Sequence, residues 1–324
     1  MSFFDGKTVL VTGGTGSFGK HFIKTLLTKA APKRVVVYSR DELKQYEMQQ
    51  LFRGESRLRF FLGDVRDMSR LQRALHGVNL VVHAAALKQV PAAEYNPFEA
   101  VKTNIHGAQN IIEACIDQGV ERVIALSTDK ASSPINLYGA TKLVSDKLFV
   151  SGNAYAGGKR TRFAVVRYGN VVGSRGSVVP LFKQMLAEGA SELPITDERM
   201  TRFWITLDQG VSFVMQNLEH MWGGEIFVPK IPSMKMTDLA RAMSPSARIR
   251  VIGIRPGEKL HEEMINVNDA RHTRDLGDRY AIIPDLEWFP SHDFGGKPVA
   301  ENFAYTSDAN SSWLTLDELR AMIA

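Results

Sequence analysis

The chain has 324 residues, 44% of them hydrophobic and 23% charged, an ordinary composition for a soluble globular enzyme built as one large α/β unit or two coupled domains. Its formal charge is +5, but Lys and Arg are interleaved with Asp and Glu, with no basic tail or dense run. That argues against a nucleic-acid partner and for a general pull on anionic small molecules. No stretch reaches the roughly 18 uninterrupted apolar residues of a membrane span.

The opening Met1-Ser-Phe-Phe-Asp-Gly-Lys7 lacks a basic start followed by an apolar core, so a cytoplasmic chain is expected. Strands are then predicted at Thr8–Thr12, Arg34–Tyr38, Leu58–Leu62, Leu80–His83 and Arg122–Leu126, with a sixth near Phe163–Arg167. Helices are predicted between them near 18–30, 41–53, 67–76, 97–118 and 138–156. This alternation reads as an α/β fold, a parallel sheet with helices on both faces. Beyond about 170, loops rich in Gly, Ser and Pro separate shorter elements. We therefore divide the chain into residues 1–170 and a smaller lobe of 171–324, with a strand near Glu225–Val228 returning to the main sheet and a last helix at Leu316–Ile323. The single cysteine, Cys115, lies in an apolar helical stretch and reads as a packed thiol in a reducing compartment.

Thr12-Gly13-Gly14-Thr15-Gly16-Ser17-Phe18-Gly19 follows the first strand and opens the first helix. Glycines there allow a tight turn, close approach of a pyrophosphate and close packing of helix on sheet, and the helix N-terminus offers free N–H groups to the anion. The unit is thus a Rossmann-type, doubly wound dinucleotide-binding domain, with Thr12, Gly13, Gly16, Ser17, Phe18 and Gly19 as cofactor contacts. The second strand ends Tyr38-Ser39-Arg40 instead of in an acid. Arg40, Ser39 and Lys44 suit a ribose 2′-phosphate and favour NADP, while Asp41 keeps NAD open. Asp64 and Val65 are placed near the adenine, and Ala84, Ala85 and Ala86 where the cofactor passes, although both segments are also ordinary turn chemistry. Lys88 and Asn104 join this set.

Tyr138 and Lys142 share one helix face, so the ammonium can sit near the phenol oxygen. A phenol titrates near 10, and a nearby cation favours the phenolate that can take a proton from an alcohol during its oxidation. Thr128-Asp129-Lys130 lies where the fifth strand ends, adding an acid and a base that a simple oxidation does not require.

Together with the glycine turn, these motifs resemble the extended short-chain dehydrogenase/reductase superfamily. The segments Ala84–Pro91, Ser127–Lys130, Pro134–Lys142, Arg167–Pro180, Pro194–Asp197, Met200–Phe203 and Arg255–His261 are similar to the soluble UDP-N-acetylglucosamine 4,6-dehydratases, and most to the inverting branch that opens pseudaminic acid biosynthesis. The resemblance runs from residue 7 to about 265. It implies a lyase in which Tyr138 takes the 4-hydroxyl proton while hydride passes from C4 to NADP⁺. Lys130, if neutral, then removes the C5 proton and Asp129 protonates the departing 6-hydroxyl. Hydride returns to C6 and C5 is reprotonated on its opposite face, giving UDP-2-acetamido-2,6-dideoxy-β-L-arabino-hex-4-ulose. Burial or cationic neighbours, Lys142 and Lys88, would have to tune Lys130. Retaining relatives carry Asp-Glu where this chain has Asp129-Lys130.

For the substrate, the resemblance implies contacts from Asn170, Arg175, Ser177, Val178, Val179, Thr196 and Met200, with Lys88, Arg202 and Arg255 at the diphosphate and Glu258 at ribose hydroxyls. A homo-oligomer is implied as well. No metal is expected, since His83 and His106 read as packed or hydrogen-bonded and His261-Glu262-Glu263 lacks a second histidine at helical spacing. Trp204, Trp222 and Trp288 read as core or interface residues. Competing readings are a retaining dehydratase or a nucleotide-sugar 4-epimerase on the same scaffold, and a non-catalytic NADP sensor, which would not need an intact Tyr138 and Lys142.

Overall fold

Thr8–Thr12 is buried at every residue, as a parallel strand covered on both faces must be. It opens a computed structural model that describes residues 2–174, 176–287, 289 and 292–323; Arg175 and Trp288 lie outside the described residues. The first half runs β1 (Thr8–Thr12), α1 (Ser17–Lys29), β2 (Arg34–Ser39), α2 (Glu42–Leu51), β3 (Leu58–Leu62), α3 (Met68–Leu75), β4 (Leu80–His83), α4 (Val90–Tyr95), α5 (Pro97–Val101), α6 (Gly107–Gln118), β5 (Arg122–Leu126), α7 (Leu137–Tyr155) and β6 (Arg162–Val166). The second continues β7 (Asn170–Val171), α8 (Val178–Ala187), β8 (Glu192–Ile195), β9 (Thr201–Ile205), α9 (Leu207–His220), β10 (Ile226–Pro229), β11 (Ser233–Lys235), α10 (Met236–Met243), β12 (Arg248–Val251), β13 (Glu263–Ile265), α11 (Val267–Ala270), β14 (Thr273–Asp275), β15 (Arg279–Ile282), β16 (Lys297–Pro298), β17 (Tyr305–Thr306) and α12 (Leu316–Ile323).

The main sheet has ten strands in the order β16-β14-β15-β10-β6-β5-β4-β1-β2-β3. Pairing is parallel from β3 through β10, and β15, β14 and β16 add antiparallel. This is the Rossmann-type arrangement expected, and β10 does return to the sheet beside β6. Since β1 pairs with both β2 and β4, the chain winds outward in two directions from it. The crevice at their carboxyl ends is where open parallel sheets bind ligands.

Local chemistry sets the helix starts. Asp41 and Asp67 accept backbone N–H groups of Lys44 and Arg70 as N-caps of α2 and α3, and Thr206 with Gln209 forms a capping box on α9. The helix expected over 97–118 is instead α5 and α6 joined by a π-helical turn at Lys102–His106. Just after it, α6 packs closely on the loop after β3, where a Cβ on Gly107 would stand 2.8 Å from Val65.

Away from the sheet, Val179, Met200, Trp204, Met234 and Leu239 build a second, smaller core with Leu319 of α12. Trp204 fills that core as expected, whereas Trp222 stacks on His292 with ring centroids 4.1 Å apart. Cys115 is buried, and burial pushes its thiol up. His106 is exposed, so of the packed or hydrogen-bonded positions expected it does not take the packed one. Among the described residues no helix is long and apolar enough to cross a membrane.

Candidate active site

A cleft of about 1170 Å³ opens along the carboxyl ends of β1, β4, β5 and β6 and is closed on its far side by the second lobe. On the β1 side it is lined by backbone. Gly13 holds φ +65, and a Cβ there would stand 3.0 Å from Ala84 and Ala85. Gly19 lies so close to Gly14 that a Cβ would come within 2.5 Å of it, seating α1 tightly on the sheet. Gly16 caps α1 without a side-chain partner, so the first-turn N–H groups face the cleft beside Ser17 and Phe18. This surface fits a dinucleotide pyrophosphate.

The neighbouring side chains divide by whether they are already satisfied. The Thr12 hydroxyl accepts from Ala84 and Ala85 N–H and bonds His83 Nδ1 at 2.9 Å, so Thr12 ties β1 to β4 and does not line the cleft as expected. Asn104 is corrected likewise: its amide holds both backbone groups of Leu87 and the Thr141 hydroxyl. Ser39, Arg40, Asp41, Lys44, Asp64, Val65, Ala84, Ala85, Ala86 and Lys88 do line it. Asp41 is spent on its own helix, capping α2 and pairing with Lys44, while Arg40 reaches Asp64 only at 3.5 Å and stays half-exposed. Burial pushes the Lys88 ammonium down.

At the cleft floor the two motifs after β5 meet. Asn136 caps α7 by accepting from Gly139 N–H, so Tyr138 stands in the first turn. A Cβ on Gly139 would lie 2.2 Å from the Lys130 carbonyl oxygen. Only glycine lets α7 sit this close to the short 3₁₀ turn at Asp129–Ala131, which is anchored by Asp129 N–H to Tyr168 C=O at 3.2 Å. Thr128 Oγ1 donates to Asp129 Oδ1 at 2.8 Å.

Lys130 Nζ lies 3.1 Å from Asp129 Oδ1 and 3.0 Å from Glu262 Oε1. Burial opposes its charge, but the two carboxylates outweigh burial and hold the ammonium on. The neighbours that tune Lys130 are therefore carboxylates, which favour its ammonium, and not the cations Lys142 and Lys88 that the sequence suggested. Asp129 moves the opposite way. Burial and the negative Glu262 push its carboxyl above the usual range, against Lys130 and Thr128. Glu262 is also buried, yet Lys130 and Arg202 outweigh burial and keep it ionised.

Burial pushes the Tyr138 phenol up to about 12, and the cation that pulls it back is Lys130, helped by a hydrogen bond with Thr128. The sequence assigned that pull to Lys142. Lys142 is itself buried, which lowers its ammonium against the attraction of Asp146 one turn along α7.

The substrate side mixes free and committed groups. Asn170, Ser177, Val178, Thr196, Met200, Arg202, Arg255 and Glu258 line the cleft, whereas Val179 turns into the second core. Arg202 donates to the carbonyls of Thr201, Leu260 and Lys259, so it clamps the 258–262 loop. Arg255, exposed at the rim, forks onto Glu258 at 2.9 and 3.1 Å, which leaves Glu258 already paired. Asn136 Nδ2 donates to Gly257 C=O at 2.8 Å, joining this loop to the start of α7.

Six of the nine buried side-chain atoms without a hydrogen-bond partner among the described residues line this cleft: Thr103 Oγ1, Asp129 Oδ2, Asn170 Oδ1, Ser177 Oγ, Trp204 Nε1 and Glu262 Oε2. Orphaned polar atoms are rare in folded proteins, so their convergence marks a place for a polar ligand. Sequence reasoning missed Glu262, weighing it only as part of a metal motif. Its one local signal is an acid two residues ahead of the apolar pair Met264-Ile265.

Comparison with known proteins agrees with this geometry. The model of a family described as polysaccharide biosynthesis protein matches residues 9–284. A Campylobacter jejuni protein named UDP-N-acetylglucosamine 4,6-dehydratase (inverting) is 57% identical, over 99% of this chain and 98% of its own. Pen from Bacillus thuringiensis superposes with a TM-score of 0.91 at 38% identity, covering 99% of this chain and 98% of that one. The dTDP-glucose 4,6-dehydratase DesIV from Streptomyces venezuelae, solved with NAD and TYD bound, gives 0.70 at 27% identity, covering 78% of this chain and 86% of that one.

Proposed function

Because the chain belongs to the polysaccharide biosynthesis protein family, we propose that its cleft removes water from UDP-N-acetylglucosamine across C5 and C6 and inverts C5. The observation that carries this reading is the seating of Asp129 and Lys130 against Tyr138, with a carboxyl that favours its proton beside the redox tyrosine. The 57% identical dehydratase supports the substrate.

A nicotinamide dinucleotide, when bound, supplies a two-electron acceptor and donor and a positive charge beside the phenol. Gly13, Gly16 and the first turn of α1 would hold its pyrophosphate, with Tyr138 and Lys142 at the reacting end. NADP is the proposed form. Its support is that Asp41 is engaged by α2 and Lys44, which leaves Arg40 to meet a 2′-phosphate.

Tyr138 acts as the phenolate, the form that Lys130, the Thr128 hydrogen bond and the positive charge of a bound cofactor favour against burial; it takes the O4 proton as C4 becomes a ketone, and the ketone acidifies C5–H. Lys130 removes that proton while Asp129 gives its own to the departing O6, so that water leaves. The proton gained by Tyr138 balances the one lost by Asp129, and the cluster ends with the protons it began with. C5 is reprotonated on the opposite face. The product is a 6-deoxy-4-keto sugar with inverted C5, the opening intermediate of pseudaminic acid biosynthesis in this reading.

The test is incubation of the protein with UDP-N-acetylglucosamine and NADP in D₂O, followed by NMR. A new C6 methyl, deuterium at C5 and the coupling constants of the inverted ring are expected. A methyl on an uninverted ring would remove the inversion, and a C4 epimer with C6 unchanged would replace dehydration by epimerisation.

A further inference from the structure

Lys130 presents a contradiction that the proposed reaction must resolve. The chemistry asks for a neutral amine, yet the nitrogen sits between two carboxyl groups at 3.0 and 3.1 Å that favour its ammonium form. One of them, Asp129, is committed to the leaving oxygen. The other, Glu262, is the residue just before β13, 132 residues away in sequence, and no step of the reaction uses it.

We infer that Glu262 is the positioning residue that makes Lys130 a base, by taking a proton from its ammonium when substrate fills the cleft. The inference rests on the dehydratase reading above. Three observations carry it. Glu262 Oε1 is the hydrogen-bond acceptor of Lys130 Nζ, so the transfer crosses one existing bond. Glu262 is 1% exposed, and its Oε2 has no hydrogen-bond partner among the described residues, so although Lys130 and Arg202 hold it ionised at rest, this buried carboxylate keeps an open acceptor site one hydrogen bond from Nζ. It is also held firmly: its N–H donates to Ser307 Oγ at 2.9 Å, while Ser132 and Ser133 donate to the next residue, Glu263.

The step balances. The Nζ–H bond breaks and Oε1–H forms, with nitrogen keeping the electron pair. That pair takes the C5 proton as the C5–H electrons become the C5–C6 double bond. The C6–O bond breaks, and its oxygen leaves as water with the Asp129 proton. Lys130 is then an ammonium again beside a neutral Glu262, whose proton returns to the pool that reprotonates C5. A charge clamp would behave differently, because removing a clamping anion would release Lys130 and leave or raise the rate.

The experiment compares wild type, Glu262→Gln and Glu262→Asp with UDP-N-acetylglucosamine and NADP in D₂O. Methyl formation, C5 deuteration and transient absorbance at 340 nm are read together, with melting temperature as the folding control. For Glu262→Gln we expect kcat and C5 deuteration to fall together by about 10²-fold, KM to stay within about threefold, and the 340 nm transient to persist instead of decaying. Glu262→Asp, which keeps a carboxylate, should recover about tenfold of that loss. Unchanged or faster deuteration in Glu262→Gln would overturn the role of Glu262 alone. Should Glu262→Gln prove unfolded, Glu262→Asp decides, since deuteration no better than a tenth of a percent of wild type in a folded protein would equally overturn it. Wild type that forms no methyl would sink the dehydratase reading and this inference with it.

Discussion

The β1–α1 wall of the cleft is built of backbone, with Gly13, Gly16 and helix N–H groups facing outward and the Thr12 side chain already satisfied behind them. The α7 wall is built of charged and polar side chains: Tyr138, Asp129 and Glu262, all buried, and the half-buried Lys130, with Asp129 and Glu262 each keeping an unpartnered oxygen among the described residues. A backbone surface binds an anion of constant charge and needs no proton change. A cluster of buried carboxyls and amines is costly to hold ionised, and that cost keeps its protons close to transfer.

The sharpest way to separate the two walls is to remove one proton carrier. Tyr138→Phe keeps the ring packing and deletes the phenol, so kcat should fall by about 10²–10⁴ with dinucleotide affinity little changed, read by initial rates and by cofactor titration. A variant retaining a tenth of the wild-type rate would mean that the phenol is not the base.

Gly139→Ala tests how the catalytic wall is assembled. The new methyl would meet the Lys130 carbonyl at 2.2 Å, forcing α7 and the 128–131 turn apart. A displacement of about 1 Å costs on the order of 10²-fold in rate, and overpacking about 1–3 kcal/mol in stability. Activity should therefore collapse before folding does, which rates and melting curves measured on one sample would show.

Arg40→Ala acts on the binding wall. Losing a charge-assisted contact to a 2′-phosphate costs about 1.5–3 kcal/mol, so NADP affinity should fall by tenfold or more while NAD affinity holds. Equal changes for both cofactors would remove the NADP assignment.

The smallest effect is in the pH dependence of stability, where the walls should slope oppositely. Burial, then Lys142, lowers the His83 imidazole to about 3. Between an unfolded value near 6.5 and that value, the unfolded chain binds a proton that the folded chain does not. Stability is therefore lost as pH falls through this window, by at most about 1.4 kcal/mol per pH unit. Asp129, raised by burial and Glu262, binds its proton more readily folded, so its contribution is lost as pH rises above about 3.9. Melting temperatures between pH 4 and 7 should show a shallower acid loss in His83→Gln and a steeper one in Asp129→Asn.

Much of the fold was legible because fully buried parallel strands write themselves as short β-branched runs. Thr8–Thr12, Leu58–Leu62, Leu80–His83 and Arg122–Leu126 fall where the pattern put them. The π-helical break at Lys102–His106 was not legible, since that stretch holds no Pro or Gly to mark it. Within the site, Tyr138, Lys142, Asp129 and Lys130 could be found from spacing. Thr12, Asn104 and Val179 could not be sorted from true cleft residues, because only neighbours distant in sequence show whether a side chain is already satisfied or packed away.

The sequence by itself determined the strand order's ingredients, the glycine cradle and the pairing of Tyr138 with Lys142, all of which are contacts within one turn or one strand-turn-helix unit. Only the tertiary structure decided the protonation of the cluster. The charge on Lys130 depends on Glu262 at 3.0 Å and that of Asp129 on the same carboxylate, brought from 132 residues away. Local spacing can propose an acid and a base, but the field of a buried site is a sum over whatever the fold packs beside it.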